Sequence, residues 1–259
     1  MLGFIKSLFS RKKELPLISE VVQIIEPKAE EYIPDPAREL LKKATRLKKE
    51  KKFDEACDTL KEAYAMPEAY NFTIKDKLRL PMYLQLAKKG DEAWRLLGEM
   101  ERAAWGDPIN SRVITDQCRV FLEKEKNYTK ALYFSLLSLC YEIETEKHIH
   151  NDMRKTEEEL IRLNEELSEI GALEETEKDK QRQQEYEIHT KEKLDNLKSH
   201  ETVGYAVSRL LQKAKMSDII EDVTKDIVDY LNSKERCDGR TINNILNEHF
   251  SAHYAKQGK

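Results

Sequence analysis

The residues best suited to chemistry are two histidine groups and four cysteines. His249 and His253 stand four apart with Glu248 beside them, so a helix would place both rings on one face, as a metal pair requires. The order is not His-Glu-x-x-His, and no third ligand is near in sequence. His148, His150 and Asp152 form a second group, but a spacing of two does not suit one helix face. Both groups read as ordinary surface histidines, with His249 and His253 the only metal candidates. Cys57, Cys118, Cys140 and Cys237 are far apart and include no C-x-x-C pair. They read as reduced, mostly buried thiols in a reducing compartment. The chain has no phosphate-binding glycine loop, no G-x-S-x-G elbow, and no carboxylate pair that stands apart as acid and base. The expectation is a protein without a catalytic site, cofactor or bound metal.

The elements that carry these residues are helical. Of 259 residues, 36% are charged, against roughly 25% in an average globular domain. The excess implies helix surface exposed to water in place of one compact core. With only 8 Gly and 7 Pro, turns are few and elements long. Helix formers dominate and no alternating β-branched runs occur, so no sheet is expected. A net charge of −4 lacks the basic excess of a nucleic-acid binder, and none is expected as a partner.

Helix signals punctuate the middle of the chain. Asp35-Pro36 and Asp107-Pro108 pair an N-cap residue with proline at the first helical position. Thr73 with Asp76 forms a capping pair, and Pro81 predicts a kink or late start in the helix that follows. The result is helix, turn, helix, three times between residues 35 and 141. The turns align on Ala56, Ala93 and Ala131, spaced 37 and 38 residues apart, and a leucine (Leu47, Leu84, Leu122) stands nine residues before each alanine.

The first unit, with Ala44, Phe53, Ala56, Leu60, Ala63 and Pro67, resembles a tetratricopeptide repeat. The second keeps Leu84, Ala93 and Leu97 but has Pro81 and Gly90 at the small and aromatic positions. The third keeps Leu122, Tyr128 and Ala131 but has Arg119, Ser135 and Ser138. The period exceeds the usual 34 residues, and the resemblance ends near residue 141. It implies a short solenoid of α-hairpins whose first helices line a groove for a peptide or helix. Carried over, the groove positions are Arg38, Leu41, Thr45 and Lys48; Lys75, Leu78, Met82 and Gln85; and Val113, Asp116 and Val120. Basic and apolar residues alternate across the first two units, which suits a protein partner with an acidic segment beside an apolar anchor. The Lys-x-x-x-Asn carboxylate clamp of some family members is absent from residues 35–141, which counts against a chaperone-tail ligand.

Residues 142–200 read as a charged arm. Met153, Thr156, Leu160, Leu163, Leu167 and Ile170 follow a coiled-coil spacing, which allows self-association through 153–170. Gly171 interrupts it, leaving either a hairpin or one interrupted helix. Residues 201–259 regain apolar content and predict three helices, forming a small bundle or folding back on the array. The fold class expected is all-α: a tetratricopeptide-like α-hairpin solenoid, a charged helical arm and a small C-terminal bundle.

Residues 1–34 are a lead-in. Phe4, Ile5, Leu8 and Phe9, followed by Lys12 and Lys13, could lie on an anionic membrane, although docking on the protein itself is the expected arrangement. No apolar run is long enough to span a bilayer. The charges follow the apolar stretch and no cleavage site is evident, so the expectation is an uncleaved cytoplasmic protein. The function expected is a non-enzymatic adaptor or scaffold in a multi-protein complex. The alternatives are a peripheral membrane adaptor and an accessory subunit of a nucleic-acid-acting complex.

Overall fold

The computed structural model describes residues 35–168, 177–234 and 236–258, and among them every regular element is helical. The membrane candidates Phe4, Ile5, Leu8, Phe9, Lys12 and Lys13 lie outside the described residues, as does Ile170. Among the described residues no helix is long and apolar enough to cross a membrane.

Helix α1 (Pro36–Lys49) buries Ala37, Leu41 and Ala44, one stripe at helical spacing. Helix α2 (Phe53–Ala65) answers it with Ala56, Cys57, Leu60 and Ala63. A 3-10 turn (Pro67–Asn71) leads to α3 (Ile74–Lys77), which starts on a reciprocal capping box between Thr73 and Asp76. The expected disturbance at Pro81 takes a definite form: the helix breaks at Leu78 and resumes as α4 (Arg79–Leu86). Proline lacks the N–H that would bond to the carbonyl four residues back, which is that of Lys77. The Tyr64 hydroxyl donates instead to the carbonyls of Asp76 at 2.6 Å and Lys77 at 3.3 Å.

Helix α5 (Gly90–Ala103) follows. In α6 (Pro108–Lys124) Asp107 caps the start, its carboxylate accepting from the Asn110 N–H at 3.0 Å. Helix α7 (Tyr128–Ser168) is 41 residues long. It contains no Gly or Pro, so nothing stops it at residue 141, where the sequence changes character. The second helix of the third hairpin continues as the arm. Helix α8 (Glu177–Leu197) returns against α7, held by Lys193 Nζ on Glu146 Oε1 at 2.6 Å and by stacking of His150 on Tyr186. Helices α9 (His200–Lys213), α10 (Ile220–Ser233) and α11 (Gly239–Lys256) complete the chain.

Packing follows chain order: α2 on α4, α4 on α5, α5 on α6, α6 on α7, α7 on α9, α9 on α10 and α10 on α11. The three C-terminal helices do not form a bundle of their own. Val203, Val207, Leu210, Ile227 and Leu246 share one core with Leu132, Leu136 and Ile143 of α7, and α11 also touches α7. Tyr205, on the opposite side of α9, is 72% exposed. A second core spans Ala37 to Phe121, and Trp94 and Phe134 pack on both.

The hairpin turns share one geometry. Lys51, Lys88 and Lys126 are left-handed, with φ of 63°, 61° and 60°. At each, the following residue's N–H bonds to the carbonyl of Leu47, Leu84 or Leu122, and the lysine's own N–H bonds to the next carbonyl along. These are Schellman motifs. The aligned alanines come five residues later and are fully buried, letting the second helix approach the first. A fourth turn escaped the sequence alignment: Lys215 has φ 61°, and the Met216 N–H bonds to the Leu211 carbonyl. It carries the same Leu-x-x-x-Lys signal but leads through a 3-10 turn (Ser217–Ile219) to Ile220 in place of alanine.

Glu123 ties α6 to α9. Its largely buried carboxylate accepts from Arg119 one turn before it, from Arg209 Nη2 at 3.0 Å and from Lys213 Nζ at 3.0 Å. Burial alone would raise its pKa, but Lys213, Arg209 and Arg119 together hold it below its ordinary value of 4.5. A carboxylate depressed on folding contributes stability above its unfolded pKa and loses it as pH falls through the folded value. Glu123→Gln is expected to cost about 1–2 kcal/mol at neutral pH, because three partly exposed cations lose their shared partner. In urea titrations the gap between wild type and variant should close below about pH 4.5. A gap that is constant down to pH 3 would show that the carboxylate contributes nothing through its charge.

Candidate functional site

The groove positions expected from the repeat resemblance lie on α1, α3, α4 and α6, and the fold divides them. Leu41 and Leu78 are buried residues of the N-terminal core. Arg38, Lys75 and Asp116 are exposed, while Thr45, Lys48, Met82, Gln85, Val113 and Val120 are half-buried. Two of these are engaged across helices. Lys48 Nζ stands 5.3 Å from the centre of the Tyr83 ring, a cation–π contact between α1 and α4. Gln85 Nε2 donates to the Phe121 carbonyl at 3.1 Å, holding α4 to α6. Two more bond within their own helix: the Thr45 hydroxyl donates to the Leu41 carbonyl, and Asp116 pairs with Arg119. The exposed basic positions among them are Arg38 and Lys75, and Met82, Val113 and Val120 are half-buried apolar residues.

His249 and His253 are not ordinary surface groups. His249 Nε2 lies 2.8 Å from Asp226 Oδ2, and His253 Nδ1 lies 2.8 Å from Asp218 Oδ2. His253 is only 3% exposed, with Gln257 Nε2 2.9 Å from its other nitrogen. The hydrogen bond from His253 is the main reason the Asp218 carboxyl sits below its usual range. Each ring thus has its own aspartate on the preceding elements, which clamps α11 down. His148 pairs with Asp152 while His150 faces Tyr186, so these rings diverge too. Among the described residues, no group of three or more His, Cys, Asp or Glu side chains converges on a metal position.

Two features had no counterpart in the sequence reading. A basic cleft of about 790 Å³ opens at the base of the arm, lined by Lys147, His148, Lys198, Lys234 and Arg236 with Glu144 opposing. It joins three stretches remote in sequence, so no local pattern could have signalled it. Trp105 is 89% exposed and Tyr70 82% exposed. Trp105 sits in the turn between the end of α5 and the Asp107 cap; its place in Trp-Gly-Asp-Pro was the available signal. No protein-family model matches the chain, and no curated protein or solved structure matches it.

Proposed function

We propose that this chain is a non-enzymatic adaptor whose tetratricopeptide-like hairpins hold a protein partner. The observation that carries this reading is the succession of hairpins packed in chain order with one turn geometry at Lys51, Lys88, Lys126 and Lys215. Such stacking leaves the outer sides of the first helices open to a ligand along their length. The basic and apolar mixture of Arg38, Lys48, Lys75, Met82, Val113 and Val120 suits an acidic segment with an apolar anchor. The fourth turn extends the array into the C-terminal region, so α7 serves both as a hairpin partner and as the root of the arm. On the arm, Met153, Leu160 and Leu163 are exposed, Leu160 by 60%. They offer a second apolar seam for another helix or a second copy.

The test is affinity purification of the full-length chain from its native host, wild type against Lys48→Glu/Lys75→Glu. The double charge reversal should reduce the captured partner at least about tenfold, with the circular dichroism spectrum unchanged. Retention of every partner would remove the groove from consideration. Losing the Lys48–Tyr83 contact costs stability by no more than about 1 kcal/mol, so loss of capture would not reflect unfolding.

A further inference from the structure

The loop between α10 and α11 lies directly on α7. A Cβ placed on Gly239 would stand 3.0 Å from the Tyr133 hydroxyl and 3.3 Å from Leu137 Cδ1. Two residues earlier, the Cys237 N–H points to Glu144 Oε1 at 3.5 Å. Tyr133, Leu137 and Glu144 share one face of α7, and Cys140 occupies the same face between Leu137 and Glu144. The loop therefore carries Cys237 over Cys140, and each thiol perturbs the titration of the other. Cys140 is buried, Cys237 is half-buried, and neither is in a disulfide.

We propose that Cys140 and Cys237 form a modification site in which a hydroperoxide oxidises Cys237 and Cys140 closes the disulfide. The environment separates the two roles. Cys140 is the largest influence on Cys237 and lowers its pKa. Burial and Glu144 oppose that shift, while Lys147 and Lys198 assist it. Both lysines also line the basic cleft at the base of the arm, so the half-exposed thiol sits in the cationic setting that favours a reactive thiolate. Cys140 is held as the neutral thiol by Cys237 beside it and by burial.

In the first step the Cys237 thiolate attacks the terminal oxygen of the hydroperoxide. An S–O bond forms, the O–O bond breaks, and the leaving alkoxide or hydroxide takes up a proton. Cys140 then loses its proton and attacks the Cys237 sulfur, forming the S–S bond and releasing water. Two thiols are oxidised by two electrons, and the peroxide is reduced to an alcohol or water. The product fixes the start of α11 to α7. Cys57 and Cys118 serve as internal controls: burial raises their pKa values to about 11 and about 12, and neither has a thiol partner.

The experiment treats the reduced full-length chain with a small molar excess of hydrogen peroxide, alkylates remaining thiols and maps peptides by mass spectrometry. The expected result is a loss of about two mass units, a Cys140–Cys237 cross-linked peptide reversed by dithiothreitol, and unmodified Cys57 and Cys118. Cys140→Ser should leave Cys237 as a sulfenic acid captured by dimedone, and Cys237→Ser should leave Cys140 unreacted. The wild-type map stands without the variants should either destabilise the chain. Equal oxidation of all four thiols, or oxidation of Cys237 without the cross-link in wild type, would overturn the assignment.

Discussion

Replacing Phe121 with alanine is expected to lower the unfolding free energy by about 3–5 kcal/mol, the range for deleting a buried aromatic ring. Phe121 is fully buried, with its ring centre 4.9 Å from that of Trp94 in an edge-to-face arrangement. It closes the N-terminal core, and its neighbour Leu122 belongs to the C-terminal one. Trp94 packs on both cores, so the cavity would loosen the side chain that joins them. The loss should appear as a Tm decrease of roughly 10 °C and a change in near-ultraviolet circular dichroism from Trp94. Phe121→Leu keeps most of the volume and should cost less than half as much. A loss below about 1.5 kcal/mol for the alanine variant would mean that the two cores do not depend on this ring.

The second large effect is a gain. Lys51, Lys88, Lys126 and Lys215 all adopt the left-handed conformation, which costs a residue with a Cβ about 1–2 kcal/mol. Glycine carries no such cost, but it frees the unfolded chain and removes a charge that favours a helix C-terminus. The balance should be about 0.5–1 kcal/mol per site, so that all four Lys→Gly changes together stabilise the chain by about 2–4 kcal/mol. All four lysines are exposed. Lys126 and Lys215 line one cleft, so removing both also relieves a like-charge repulsion. Urea titration of the single and quadruple variants measures this. No gain at any site would imply that these lysines make surface contacts that outweigh the backbone strain.

The proposed site and the fold were unequally legible. The capping residues Thr73 and Asp107 act locally, and each does what its type and position foretold. The aligned alanines are all fully buried, each at the place where the second helix of its hairpin comes close to the first. The groove positions were harder to read. Helical spacing marks a stripe but does not say which neighbour covers it, so Leu41 and Leu78 proved to be core while Lys75 remained outside.

The sequence by itself determined the helical class, most helix starts and the three alanine-keyed turns, because capping, proline geometry and helical periodicity act over a few residues. The tertiary structure alone decided that α7 runs on as the arm and that the C-terminal helices share its core. It also decided that Glu123 gathers cations 86 and 90 residues away and that Cys237 rests over Cys140. Those outcomes depend on which faces meet across long chain separations, and burial, ion pairing and thiol contact arise only when they do.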